Sequence, residues 1–286
     1  MTADYPPTDW PFHEASSIVP VSPHRWHVQD FGTGQDALFL HGAGASAHSW
    51  HRIVPFLQSG FRMIVPDLPG HGFTRSPRGR ARLPDVARDL GALLDHLGAT
   101  PRIIVGHSAG GAIALEMVRL GIAKPDRVVV VNGALENFRG PASWLFPIMA
   151  RVMALNPLTG FLLSSGSPSQ VRGLIGATGT ELDDEALAHY QRLIKRRSHV
   201  DGTMAMMAQW SLDELSRSLG QIQCPTLFVH GEDDQAVSVT VAERAARAMP
   251  HAKLHVLSDV GHIAQEEAPE AVAREILTFA EPAAVD

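Results

Sequence analysis

Five short runs of apolar residues punctuate the chain, at residues 37–41, 62–66, 102–106, 127–132 and 226–230. They are near-continuous, not alternating, as suits strands buried on both faces of a sheet. Between them lie segments with helical spacing, at 84–97, 109–120, 240–249 and 269–280. In the first, Val86, Leu90, Leu93, Leu94 and Leu97 share one face, and Gly98 supplies the C-terminal stop. Strand–helix alternation of this kind predicts a parallel sheet with right-handed crossovers. Around 18–21 and 26–31 apolar and polar positions alternate imperfectly, which predicts an antiparallel edge ahead of the parallel strands. A further strand is expected over 253–257.

The alternation stops between Leu135 and Leu215, where no strand pattern appears. An insert of about 80 residues is too long for a connecting loop, so a helical cap is expected over 135–215, on a core of 1–134 and 216–286. The cap carries an acidic run, Glu181 to Glu185, and a basic one, Arg192, Lys195, Arg196 and Arg197. Such runs ordinarily form solvated helix faces; the alternative is a docking patch for a partner protein. The longest apolar stretch, 144–163, is interrupted by Pro147, Arg151, Asn156 and Pro157, so no membrane span is expected.

Composition narrows the function classes. With 45% apolar and 19% charged residues the chain has material for a large core. A net charge of −6 argues against nucleic-acid binding, which needs a basic face. One cysteine, Cys224, excludes an internal disulfide and a multi-cysteine zinc site. The single cysteine makes a reducing, cytoplasmic setting the expectation, and the opening residues lack a basic region and an apolar core, so no signal peptide is expected. No His-Glu-x-x-His or Walker A motif occurs, and Gly42 and Gly44 lack the third glycine of a dinucleotide loop. No metal or cofactor is expected.

The strongest chemical signal is Gly106-His107-Ser108-Ala109-Gly110-Gly111, after a predicted strand and opening a predicted helix. That context suits a nucleophile elbow, a tight turn that lifts a serine hydroxyl off the sheet. It also places the Ala109 N–H at a helix N-terminus, where the dipole favours an oxyanion. A serine hydroxyl needs a base, and the base an orienting acid. Later strands supply both: Gly231-Glu232-Asp233-Asp234 follows one, and Asp259-Val260-Gly261-His262 the next. His262 is the predicted base and Asp234 the predicted acid, with Asp233 as fallback and Glu136 as a weaker alternative. In the loop His41-Gly42-Ala43-Gly44, the Ala43 N–H is the second expected oxyanion donor. His41 is expected to orient that loop without transferring a proton. Asp67-Leu-Pro-Gly-His-Gly72 reads as a turn below the site.

With these motifs the chain resembles the α/β-hydrolases over nearly its whole length. The resemblance implies an α/β-hydrolase fold: a mostly parallel eight-stranded sheet flanked by helices, with a helical cap insert. Residues Trp26-His-Val-Gln29, Gly44-Ala-Ser-Ala-His-Ser-Trp50, Asp67 to Thr74, Asn132-Gly-Ala134, Leu155-Asn-Pro157, His199-Val200 and Met206-Met-Ala-Gln-Trp210 are similar to one subfamily. That subfamily is the magnesium chelatase accessory proteins of bacteriochlorophyll biosynthesis. Gln265, where such relatives lead one to expect histidine, is a departure that leaves the triad intact.

The resemblance implies a role around Mg²⁺ insertion into protoporphyrin IX, with a tetrapyrrole or a small apolar ester as ligand and magnesium chelatase subunits as partners. Three readings follow. The chain is a serine hydrolase of an apolar ester, a carbon–carbon bond hydrolase on the same triad, or an accessory protein that binds without turnover. Haloalkane dehalogenases and epoxide hydrolases need Asp where this chain has Ser108. The insert is rich in large adaptable groups, including Trp144, Phe146, Phe161 and Met204. Such groups ordinarily form a cap's own core; several of Met149, Met153, Met206, Met207 and Trp210 are expected to face the site instead.

Overall fold

The computed structural model describes residues 5–137 and 167–281. Eight strands form one sheet: β1 (Ser16–Val21), β2 (His24–Gly32), β3 (Gln35–Leu40), β4 (Phe61–Pro66), β5 (Ile103–His107), β6 (Arg127–Val131), β7 (Thr226–Gly231) and β8 (Ala252–Leu257). Their order across the sheet is β1-β2-β4-β3-β5-β6-β7-β8. β2 runs antiparallel to both β1 and β4, and every pairing from β4 to β8 is parallel. The antiparallel edge and the parallel body therefore fall where the hydrophobic pattern puts them.

Side-chain alternation along these strands feeds two apolar layers. Leu38, Leu40, Ile64, Ile104, Val128, Val130 and Phe228 point to one face, where they meet α2 (Leu83–Leu97) and α3 (Ala109–Arg119). Ala37, Phe39, Met63, Val65, Val105, Val129, Val131 and Val229 point to the other, against Trp50, Ile53, Val272 and Ile276. With both faces covered, neither set of alternate positions tolerates polar residues, which explains the unbroken apolar runs. Gly98 ends α2 with φ 59°, and its N–H bonds to Leu94 and Asp95 carbonyls. Two short helices flank this scaffold, α1 (Val54–Leu57) and α8 (Val239–Ala248).

Among the described residues between 167 and 218 there are four helices and no strand: α4 (Pro168–Gly176), α5 (Asp184–Ile194), α6 (Arg197–Gln209) and α7 (Asp213–Ser218). Trp144, Phe146, Met149, Met153 and Phe161 lie outside the described residues. The charge runs largely pair within the chain. Asp183 bonds Arg52, Asp184 bonds Arg172 at 2.5 Å, and Arg192 reaches Asp9 at 2.5 Å. These pairs are largely exposed, so water and salt screen them and each adds little to stability. The Arg52–Asp183 and Arg192–Asp9 pairs tie the helical segment to the rest of the chain, Arg172–Asp184 lies within it, and together they favour the structural reading of both runs.

Histidine is unusually prominent in the interior. Burial is the leading cause that depresses the rings of His24, His41, His48, His51, His71, His107, His189, His199 and His230 below the usual histidine value. His189 and His199 fall to about 4 and His107 to about 3. Unfolding returns each ring to about 6.5, so in this window the unfolded chain binds more protons. The contribution of these rings is complete above that value and is lost as pH falls towards 4. The melting temperature should therefore drop by several degrees between pH 7.5 and pH 5, with the buried Glu266 carboxyl, raised to about 8, opposing part of the loss. Thermal melts across that range check this, and a flat profile would contradict it.

Candidate active site

Ser108 stands between β5 and α3 with φ 51° and ψ −114°, a backbone conformation that L side chains rarely adopt. The glycines around it are sterically required. A Cβ on Gly106 would fall 2.3 Å from the Gly110 carbonyl oxygen, and one on Gly110 only 2.1 Å from that of Leu40. A Cβ on Gly42 would lie 3.1 Å from the Ser108 Cβ, so the 41–45 loop runs directly beside the serine. The Ser108 N–H donates to the Val131 carbonyl at 2.9 Å, and the Ser108 carbonyl accepts from Gly111 at 3.1 Å and Ala134 at 3.2 Å.

The structure brings Ser108, His262 and Asp234 together from the ends of β5, β8 and β7. His262 Nδ1 lies 2.8 Å from Asp234 Oδ2, and its Nε2 lies 3.1 Å from Ser108 Oγ. An ionised carboxylate only accepts, so Nδ1 carries the ring proton and Nε2 is left to accept from the serine. Asp234 also accepts from Asn132 Nδ2 at 2.7 Å and from the N–H groups of Ala236 and Val237, each at 2.8 Å. Burial pushes its carboxyl up, but the bonds from His262, Val237 and Asn132 outweigh this and hold it below the usual carboxylate range. The alternative acids sit elsewhere. Asp233 is exposed, and Glu136 grips Arg244 through two bonds of 2.6 and 2.9 Å.

The sequence assigns no role to four supporting residues, although His107 lies within the elbow motif and Asn132 within Asn132-Gly-Ala134. His107 Nε2–H donates to the His262 carbonyl at 2.9 Å. Glu267 accepts from the Gly261 N–H at 2.8 Å, and Thr180 accepts from the Ile263 N–H at 2.9 Å. These three bonds fix the backbone on both sides of the histidine. Asn132, with φ 47°, spans Asp234 and the Gly261 carbonyl, 2.7 and 3.3 Å away. Only the tertiary fold brings these residues to His262: the motifs around His107 and Asn132 mark their positions but not these bonds, and Thr180 and Glu267 carry no such signal.

The 41–45 loop forms a turn in which the Ala45 N–H donates to the Gly42 carbonyl at 3.2 Å, with Gly44 at φ 79°. His41 accepts the Leu68 N–H at Nε2, 2.9 Å away, so its Nδ1 carries the proton and donates to the Gly42 carbonyl at 2.7 Å. The ring is fully buried and orients the loop, as expected. Neither the Ala43 N–H nor the Ala109 N–H has an acceptor among the described residues. The Asp67 turn is a structural anchor. Its carboxylate accepts from the N–H groups of Ala47 and Phe73, each at 2.7 Å, and from His27 at 2.8 Å. Burial acts to raise this carboxyl, but the His27 and His41 rings and the Ala47 N–H hold it far below the usual carboxylate range.

Ser108 and His262 open into a cavity of about 440 Å³. Its far wall is apolar and comes from α4, α5 and α6: Val171, Leu174, Ile175, Ile194, Val200 and Met204. The methionine and tryptophan expectation needs correction here. Met206 is 1% exposed, within the same apolar layer as Leu212 and Leu215, and Trp210 packs against that layer. Met207 is not part of the wall, and Met149 and Met153 lie outside the described residues. The wall uses the first half of α6, through His199, Val200, Thr203 and Met204. Each residue advances a helix by about 1.5 Å, so the later turns pass beyond the cavity and over the core. Hydrophobic periodicity gives a face, not the point along the axis where a cavity ends.

Residues 38–269 match the family model described as alpha/beta hydrolase fold. The chain is 42% identical to the magnesium-chelatase 30 kDa subunit of Rhodobacter capsulatus, over 96% of this chain and 98% of that protein. It is 30% identical to a 2-hydroxy-6-oxononadienedioate/2-hydroxy-6-oxononatrienedioate hydrolase of Burkholderia vietnamiensis, over 89% of this chain and 90% of that one. Among solved structures it resembles the epoxide hydrolase CorEH, with a TM-score of 0.79 and 19% identity, over 92% of this chain and 97% of that one. At that identity the likeness concerns the fold alone.

Behind the cavity wall, Tyr190 donates its hydroxyl proton to Glu266 Oε1 at 2.6 Å, and Glu266 Oε2 has no partner among the described residues. Burial raises the Glu266 carboxyl to about 8 despite the Tyr190 bond, so it stays protonated at neutral pH. In the unfolded chain it ionises near pH 4.5. Its stabilisation is therefore complete below that pH and is lost as pH rises towards 8. Glu266→Gln, neutral at every pH, should raise the melting temperature at pH 8 by several degrees and change it little near pH 4.5. Paired melts of the two proteins at both pH values test this.

Proposed function

The chain belongs to the alpha/beta hydrolase fold family, and on that premise we propose that it is a serine hydrolase with Ser108 as nucleophile, His262 as base and Asp234 as orienting acid. The observation that carries this reading is the unbroken line of hydrogen bonds from Ser108 Oγ through the His262 ring to Asp234. His262 Nε2 takes the hydroxyl proton as Ser108 Oγ attacks a carbonyl carbon. The N–H groups of Ala43 and Ala109, which lack other acceptors among the described residues, receive the negative charge that forms on the carbonyl oxygen. The protonated ring then gives its proton to the leaving group, and water releases the acyl group by the same steps.

The apolar wall suits an apolar ester, with the helices of 135–215 acting as a cap over a core of 1–134 and 216–286. The likeness to a hydrolase of 2-hydroxy-6-oxononadienedioate supports a second substrate class, a carbon–carbon bond beside a ketone. Near-complete coverage of the magnesium-chelatase 30 kDa subunit supports a place for the activity in bacteriochlorophyll biosynthesis. In that role the ligand is a tetrapyrrole or an ester derived from one, and the partners are magnesium chelatase subunits.

A fluorophosphonate probe read by intact mass should label the wild type once and leave Ser108→Ala unlabelled. Retained p-nitrophenyl esterase activity in Ser108→Ala would exclude this mechanism. Asp234→Asn leaves the ring in the wrong tautomer and should lower kcat by about 10⁴, the loss that the equivalent change causes in serine proteases. Asp233→Asn should stay close to wild type; the reverse order would move the acid to Asp233. Titration with protoporphyrin IX, followed by tryptophan fluorescence, separates the pathway role from a general esterase. Saturable quenching supports the former, and ester turnover without quenching the latter.

A further inference from the structure

The cavity wall includes one side chain whose polar atoms both engage the catalytic side of the molecule. His199, on the first turn of α6, is 4% exposed. Its Nδ1 accepts the Gly72 N–H at 3.0 Å, so the ring proton sits on Nε2, which donates to the Gly44 carbonyl at 3.2 Å. Burial and the neighbouring His41 lower the ring to about 4, so this pattern persists throughout the neutral range. The helix that carries it is seated backbone on backbone: a Cβ on Gly202 would fall 2.1 Å from the Gly70 carbonyl oxygen. Arg196, just before α6, lies over the Phe73 ring at 4.2 Å and donates to the Gly72 carbonyl at 3.2 Å.

The Gly44 carbonyl shares a rigid planar unit with the Ala45 N–H, and fixing one fixes the other. The Ala45 N–H donates to the Gly42 carbonyl at 3.2 Å. That carbonyl shares its own planar unit with the Ala43 N–H. Two peptide planes therefore connect the His199 ring to the proposed oxyanion donor, with His41 holding the second plane from the other side.

We propose that His199 is a positioning residue for the Ala43 N–H, so that the seat of α6 sets whether the oxyanion donor is aimed. The proposal rests on the serine-hydrolase reading above. His199 itself touches no reacting atom and transfers no proton. Its effect falls on the charged tetrahedral state, where the donor bond is strongest, and not on ground-state binding.

Three variants test it on p-nitrophenyl butyrate and on an alkyl trifluoromethyl ketone, whose adduct with Ser108 places an oxyanion at the donors. His199→Phe keeps the ring but removes both bonds. It should lower kcat about tenfold, less than the 10²–10³ typical for outright loss of a donor, with KM within about twofold. Ketone affinity should fall by the same factor. His199→Gln retains an N–H long enough to reach the Gly44 carbonyl and should recover most of both. His199→Asn, with the same amide on a shorter arm, should not. If the Phe variant does not fold, the Gln and Asn pair decides the matter. Equal kcat and ketone affinity in Gln and Asn, or a change confined to KM, would overturn the positioning role. Wild type inert to fluorophosphonate would instead overturn the hydrolase reading itself, and this proposal with it.

Discussion

The site depends on a backbone-to-backbone contact beneath Ser108. Gly106 and Gly110 leave room for each other, and Gly110 for the Leu40 carbonyl, at distances no side chain permits. This closeness lets α3 begin immediately after β5 and forces Ser108 into its strained conformation. The same contact fixes the distance between the serine and the 41–45 loop at the end of β3. A larger residue at either glycine would displace Ser108 and the proposed oxyanion donors together.

Around that contact, the sheet gathers chemistry from distant parts of the chain. Loops at the ends of β3, β5, β7 and β8 all emerge at one edge, the usual location of a site in an open parallel sheet. Each loop is then held by polar groups from its neighbours. His41 links the 41–45 loop to Leu68, Asn132 links the Asp234 loop to the His262 loop, and His107 links the elbow to His262. In His41 and His199 one buried neutral ring both donates and accepts, joining two backbone segments with a single side chain.

Three buried carboxyls show how donors decide charge. Asp67 and Asp234 each receive several N–H groups and remain ionised in the interior. Glu266 receives only the Tyr190 hydroxyl among the described residues and holds its proton to about pH 8. The difference follows from competition between burial, which favours the neutral form, and hydrogen bonds to the carboxylate, which favour the charged one. Asp234 can thus orient a histidine, while Glu266 joins α5 to the segment after His262 without placing a charge behind the cavity.

Much of this was already legible in the chain. The apolar runs determine strands covered on both faces, because a single polar residue there would lose its water without compensation. The glycines around Ser108 and the order of serine, acid and histidine determine the elbow and the candidate triad, because steric demand and proton transfer restrict the residue types. Only the tertiary structure shows that the Asp234 carboxylate, and not that of its neighbour Asp233, turns inward to His262. It alone placed His107, Thr180 and Glu267 around His262, and His199 against the 41–45 loop, because those contacts join residues far apart in sequence. It also exchanged Met206 for Met204 in the cavity wall. Helical spacing determines direction around an axis, whereas the position of a helix along that axis is set by what it packs against.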